Sequence, residues 1–151
     1  MTRVSSFEEL QAEFLGRVSQ FVYANMATID THDRPSSRVV HPVWEGSTGW
    51  IVSWPETPKS KHLARNPYVS LAYIHDFEKP VYVDCIAEWA HDRAEKLRIW
   101  NVIKATPPPM GYDPEPIFGT IDHIHFGLLK LTPWRIVLYT LGGDPTIWQP
   151  K

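Results

Sequence analysis

Fourteen prolines punctuate this chain of 151 residues, about twice the usual frequency, and they fall between apolar runs rather than within them. Proline fixes φ and has no backbone N–H, so it is excluded from helix interiors and from central strands. The chain is thereby cut into short pieces joined by turns. No piece approaches the ~20 apolar residues that a membrane helix requires. Nineteen aromatic side chains, seven of them Trp, fill the pieces, as expected of a β-rich core with many turns. Aromatic walls also suit flat ring ligands, which composition by itself does not distinguish.

The first piece has helical period. Ser5 and Ser6 are each followed three residues later by a Glu, a capping-box pattern. Phe7, Leu10, Phe14, Val18 and Phe21 then recur at spacings of three and four, an apolar face opposite Glu9, Glu13 and Arg17. After this the period changes to two. The expected strands are Tyr23–Asp30, Ser36–Trp44, Trp50–Trp54, Tyr68–His75 and Pro80–His91, with two more over Ile121–Leu131 and Pro133–Leu141. Turn chemistry separates them at residues 31–35, 45–49 and 76–79. Thr57–Arg65 reads as a short helix with Pro58 in its first turn. Asp92 and Glu95 form a second capping box, opening a helix to Lys104 with Leu97, Trp100 and Ile103 inward. Residues 107–120 are irregular. Consecutive strands with only two long helices predict a mainly β, six- to seven-stranded antiparallel barrel with flanking helices, as a single domain over residues 1–151.

Net charge is −2 and the isoelectric point about 6.4, so general affinity for nucleic acid is not expected. Cys85 is alone, which precludes an internal disulfide and suits a reducing compartment. Residues 1–18 carry Glu8, Glu9 and Glu13 and lack a signal peptide's apolar core. The expectation is a soluble cytoplasmic protein with neither membrane nor nucleic-acid partners.

The stretch Arg38–Pro67 carries the chemistry. Thr57, Lys59, Ser60 and Lys61 crowd the start of a short helix, where unsatisfied N–H groups and the helix dipole favour an anion. Hydroxyl and ammonium groups add charge-assisted hydrogen bonds, the chemistry a phosphate tail needs. The same residues also describe an ordinary solvated basic turn, and the two readings stand side by side at this level.

Strand Arg38–Trp44, strand Trp50–Trp54, Lys59 seven residues before Asn66-Pro67, and the following Val69-Ser70-Leu71 together resemble the FMN-binding split barrel of the pyridoxamine 5'-phosphate oxidase-like family. The likeness runs from Ala27 to about Ala87 and resumes at Pro133–Tyr139 and Gly142-Gly143. It implies a flavin-dependent oxidoreductase whose cofactor, FMN, lies at the interface of a homodimer and acts on a small molecule. It further implies that Arg38 and Lys59 hold the cofactor phosphate, with Thr57 in the family's serine position. Pro58 replaces an arginine of the family cluster, and Lys61 stands where many relatives have another basic residue. The isoalloxazine ring is expected along Val39, Val40, His41 and Val43 and along Val52 and Ser53, with Trp54 as a wall. Pro80 and Tyr139 are expected to reach the partner's site. The family's oxidases carry a substrate-binding C-terminal segment that Lys151 precedes, so oxidation of pyridoxamine phosphate is not expected. Small relatives include flavin-dependent general-stress-type proteins and reductases using the deazaflavin coenzyme F-420. A flavin- or haem-binding carrier or sensor is the alternative of a different class.

Other constellations are weaker. His123 and His125 would share one face of a strand, but no further metal ligand has suitable spacing, so no metal is expected. His41 either touches the ring or plays a structural part. Cys85, amid apolar strand residues, is expected to be an inert buried thiol. No side chain presents itself as a catalytic acid or base.

Overall fold

The structure, a computed structural model, describes residues 1–151. Nine strands and four helices alternate in the order β1 (Thr2–Val4), α1 (Glu8–Gln20), β2 (Ala24–Ile29), β3 (Pro35–Val40), β4 (Val43–Glu45), β5 (Thr48–Ser53), α2 (Pro58–Arg65), β6 (Tyr68–Tyr73), β7 (Val81–Ala90), α3 (Arg93–Ala105), α4 (Glu115–Phe118), β8 (Gly127–Leu138) and β9 (Thr146–Trp148). The chain is mainly β, as its turn-punctuated pattern predicts, but with nine strands rather than six or seven. The two additional strands are the terminal ones. β1 pairs in parallel with β9, which makes the sheet mixed rather than wholly antiparallel. Three-residue strands are too short to show a period, so pattern reading passes over them.

Hydrogen bonding runs β3-β2-β6-β7-β8-β5-β4. Its two ends belong to one extended run, because β3 and β4 are separated only by His41 and Pro42. The sequence reads Ser36–Trp44 as a single strand; the structure splits it there. Pro42 has no N–H to give a ladder. Up to Val40 the run pairs with β2, and from Val43 it pairs with β5. The ladder therefore bends round into a split barrel without closing.

A second correction concerns the C-terminal half. The expected strands Ile121–Leu131 and Pro133–Leu141 are in fact one strand, β8, preceded by turns over residues 121–126. Pro133 is tolerated inside it because the register shifts there: Cys85 faces Pro133 and Asp84 faces Arg135, leaving Trp134 as the extra residue of a bulge. His123 and His125 consequently lie in a turn, not on a strand face.

The helices follow their caps and stripes. The Glu9 carboxylate accepts from the backbone N–H groups of Ser5 (2.9 Å) and Ser6 (3.0 Å), so only the backward half of the capping box forms and α1 begins at Glu8. Leu10, Phe14 and Val18 are buried; Phe21 lies past the helix end and stacks on His75 at 4.2 Å. In α3 the Asp92 carboxylate accepts from the Glu95 N–H at 3.0 Å. Its buried stripe is Ile99, Trp100 and Ile103, whereas Leu97 is exposed. Two residues before Ile99, Leu97 sits roughly 200° round the helix from that stripe.

The core lies between α1 and the inner face of the barrel. Phe14 is fully buried, edge-on to Phe7 at 5.8 Å and to Trp44 at 5.0 Å. Trp148 of β9 packs on Phe7 at 5.4 Å, which ties the C-terminal strand to the N-terminal helix. Cys85 is buried on β7, and burial raises its thiol pKa far above the ordinary range, as expected of an inert thiol. No helix is long and apolar enough to cross a membrane.

One buried polar pair bridges the barrel: the Trp44 indole N–H donates to the Tyr73 hydroxyl at 2.8 Å. Tyr73→Phe orphans that donor and should lower unfolding free energy by about 1–3 kcal/mol. Urea titration is the check, with an unchanged slope expected and an unchanged midpoint contradicting the bond.

Candidate functional site: an anion cradle beside an aromatic pocket

The segment joining β5 to α2 turns back on itself. Ser60 donates its hydroxyl to the Pro55 carbonyl and Thr57 donates to that of Trp54 at 3.2 Å. Pro58 occupies the first helical turn, where its missing N–H is not needed. The outcome is that Lys59, the second helical residue, points inward and is buried. Its ammonium donates to the Ser53 hydroxyl at 2.5 Å and to the Thr57 hydroxyl at 2.9 Å, and no carboxylate pairs with it.

β3 supplies a second cation. The Arg38 guanidinium donates to the Thr28 hydroxyl at 2.7 Å and to the Met26 carbonyl at 3.2 Å. Thr28 is buried, and its hydroxyl also bonds Nδ1 of His62 at 2.8 Å, which locks α2 against β2. Arg38 likewise lacks an acidic partner. Burial lowers the pKa of Lys59, and the facing charge of Arg38 lowers it further. Burial also lowers that of Arg38. Two half-desolvated cations facing one another are unfavourable until an anion joins them. Thr28 and His62 were missed from sequence. His62 follows Lys59 by three residues, on the same helix face, which was a usable signal; Thr28 needs the β2–β3 register.

The remaining expected positions distribute as follows. Val40 and Val43 turn their side chains into the core while Val39 is exposed, so all three could offer a ligand mainly backbone. Val52 is half-buried beside Ser53. Trp54 is exposed and stacks on His125 at 4.3 Å, and His125 reaches Glu56 at 3.4 Å. Lys61, two residues beyond Lys59, is exposed on another face of α2 and outside the cradle. Pro80 and Tyr139 come together elsewhere: the Tyr139 N–H donates to the Pro80 carbonyl at 3.1 Å, and Arg17 donates to both carbonyls.

His41 lies three residues along the run from Arg38, roughly 10 Å at strand rise. It enters a cavity of about 520 Å³ walled by Tyr23, Val52, Tyr112, Ile117 and Phe118. Nε2 of His41 bonds the Met110 carbonyl at 2.8 Å; a carbonyl only accepts, so Nε2 carries the proton. Burial lowers the His41 pKa, which leaves a neutral ring with Nδ1 as an acceptor at pH 7. Burial also pushes the Tyr112 phenol up to about 12, so it stays a donor. Tyr23, Tyr112, Ile117 and Phe118 carry no motif and were not legible as site residues.

The family model described as pyridoxamine 5'-phosphate oxidase matches residues 9–108. Solved structures similar to this chain include a protein from Clostridium acetobutylicum related to general stress protein 26 of B. subtilis (18% identity, 94% of this chain and 95% of that one, TM-score 0.74). The haem storage protein HutZ of Vibrio cholerae is also similar (22% identity, 89% and 99% covered, TM-score 0.67). So is a pyridoxamine 5'-phosphate oxidase-related, FMN-binding protein of Nostoc punctiforme (16% identity, 94% and 87% covered, TM-score 0.64). No curated protein matches the sequence. At these identities the structures share the fold, while the family match covers well over half of the chain, including Arg38, Lys59 and all of β2–β7: the chain belongs to the pyridoxamine 5'-phosphate oxidase family.

Proposed function

We propose that this protein binds FMN and works as a flavin-dependent oxidoreductase in a homodimer. The observation that carries the reading is Lys59, a buried cation with hydroxyl partners, no carboxylate and a second cation opposite. A phosphate monoester brings close to two negative charges at neutral pH. Arg38 and Lys59 balance it, and the Ser53 and Thr57 hydroxyls add donors. The charge count fits FMN. The family's FMN-binding member in Nostoc punctiforme supports the same choice.

With the phosphate at Arg38 and Lys59, the ring would follow the split run toward His41, over the backbone of Val39–Val43 and of Val52 and Ser53, with Trp54 at the margin. Bound flavin supplies hydride chemistry; the protein supplies binding, orientation and electrostatics. The haem storage relative keeps a non-catalytic carrier as the second reading.

The outer sheet face supports the dimer. Register places Val39, Asn25, Ala72, Tyr82 and Val137 in one row across β3, β2, β6, β7 and β8, with Tyr68 and Ile86 in a parallel row. Val39 is 70% exposed, Tyr68 56% and Ile86 39%. Between these rows lie Ser37, Ala27, Ser70, Asp84 and Arg135, with Arg135 paired to Asp84 at 2.6 Å, so exposed apolar side chains flank a polar strip, a mixed surface that suits a second copy. Pro80 and Tyr139, remote from this chain's own cradle, would serve the partner's site.

Two outcomes test the cradle. Arg38→Ala and Lys59→Ala should each weaken FMN binding by about 1.5–3 kcal/mol, as loss of a charge-assisted hydrogen bond does. Fluorescence titration reads this, and undiminished affinity in the double variant would contradict the assignment. Lys59→Met should do two opposite things: abolish tight FMN binding, and stabilise the ligand-free chain by about 1–3 kcal/mol by removing an unpaired buried charge. A free chain destabilised by Lys59→Met would mean that the lysine is there for structure.

A further inference from the structure

One hydroxyl joins two side chains of the cradle, and its single proton fixes the state of one of them. The Thr28 oxygen accepts from the Arg38 guanidinium at 2.7 Å, since an arginine only donates. Nδ1 of His62 meets the same oxygen at 2.8 Å. Thr28 is buried, and its hydroxyl has no hydrogen-bond partner besides these two. The hydroxyl proton therefore goes to Nδ1. This leaves His62 a neutral ring with its own proton on Nε2.

No carboxylate is left free for His62. On α2, Lys59 and Arg65 stand one turn to either side of it. On β3, Arg38 lies beyond the shared hydroxyl. At the end of β2 the acid is Asp30, two residues on from Thr28. Its carboxylate is spent on the Arg34 guanidinium and on the N–H groups of His32 and Arg34. Asp33 pairs with Arg65 at 2.9 Å. In the free protein, a proton on Nδ1 would set a third positive charge beside Arg38 and Lys59. It would also strip the Thr28 hydroxyl of its acceptor. A bound anion reverses both effects. It balances the added charge, and it brings oxygens that can accept the displaced hydroxyl hydrogen bond, which neither cation can do.

We propose that His62 is a proton-linked positioning residue of the cradle: neutral while the site is free, it takes a proton at Nδ1 when a phosphate monoester binds, and so adds a third cation to the hold on the anion. One proton moves. Water supplies it to Nδ1, which the half-buried ring allows, and the Thr28 hydroxyl keeps its own. This coupling rests on the phosphate reading of Arg38 and Lys59 above, and it gives FMN affinity a pH dependence of definite sign. Protonated His62 holds the anion more tightly, so affinity rises as pH falls through the histidine range, from about 8 to about 6.5. Below about pH 6 the phosphate itself takes a proton and the gain ends.

The test is calorimetric titration of the full chain with FMN and with riboflavin, at pH 7 in two buffers of different ionisation enthalpy. FMN binding should take up protons. The second ionisation of the phosphate gives release at that pH, so uptake comes from the protein. Riboflavin carries the ring without the phosphate and should bind with no uptake, whereas a linkage at His41 would appear with both. The Kd for FMN should fall by on the order of tenfold from pH 8 to pH 6.5, the effect of one charge added beside an anion. His62→Asn offers the Thr28 hydroxyl an amide acceptor but cannot be protonated in this range; it should show neither uptake nor the pH dependence. FMN binding without uptake, equal uptake with riboflavin, or uptake that persists in His62→Asn overturns the proposal and leaves the cradle standing. The two wild-type titrations decide the matter should the variant not fold. Refusal of both FMN and inorganic phosphate overturns the cradle reading, and the linkage with it.

Discussion

The fold depends on one long strand with three hydrogen-bonding partners. β8 pairs with β7 along nearly its whole length, while its other edge is shared, first by β5 and then by β9. That sharing forces the sheet to part. β5 leads through β4 into the split run, and β9 leads through β1 to the N-terminal helix. The bulge at Pro133 and Trp134 marks the middle of β8, where one partner gives way to the next. Barrel interior, split and terminal strands all follow from this arrangement. The split in turn places the two halves of the candidate site, with Arg38 before it and His41 at it.

The cradle shows how a site can oppose the stability of its own fold. A buried ammonium normally has a carboxylate; Lys59 has two hydroxyls and a neighbouring guanidinium. Chains do not keep such an arrangement for packing, because an apolar side chain would serve better there. Thr28 and His62 complete it by fixing the Arg38 head through a single shared hydroxyl. The free protein thus carries an electrostatic strain that an anion would relieve, which is what the proposed phosphate role of Arg38 and Lys59 requires.

Much of this could be read in the sequence, and what could not has identifiable causes. Strands β2, β5, β6 and β7 show themselves because they alternate between turn residues, and Arg38, Thr57 and Lys59 because charge and hydroxyls crowd one short helix start. The split at Pro42 was missed because a lone proline inside an apolar run does not say whether the strand ends or changes partner. β8 was divided at Pro133 because the bulge that tolerates that proline comes from pairing with Cys85, 48 positions earlier and beyond the reach of any local pattern. β1 and β9 exist only through each other. The aromatic pocket rests on Gly111 packing against Thr106, a close backbone approach that leaves no periodic trace. Long-range pairing, rather than local propensity, hid each of these.

The central claim is that Arg38 and Lys59 exist to hold a phosphate, and the most direct measurement is the affinity of the protein for FMN against riboflavin, which differ only in that group. Two charge-assisted hydrogen bonds at ~1.5–3 kcal/mol each predict that FMN binds at least on the order of a hundredfold more tightly. Equal affinities would contradict the account, because the ring would then bind with no help from the cradle.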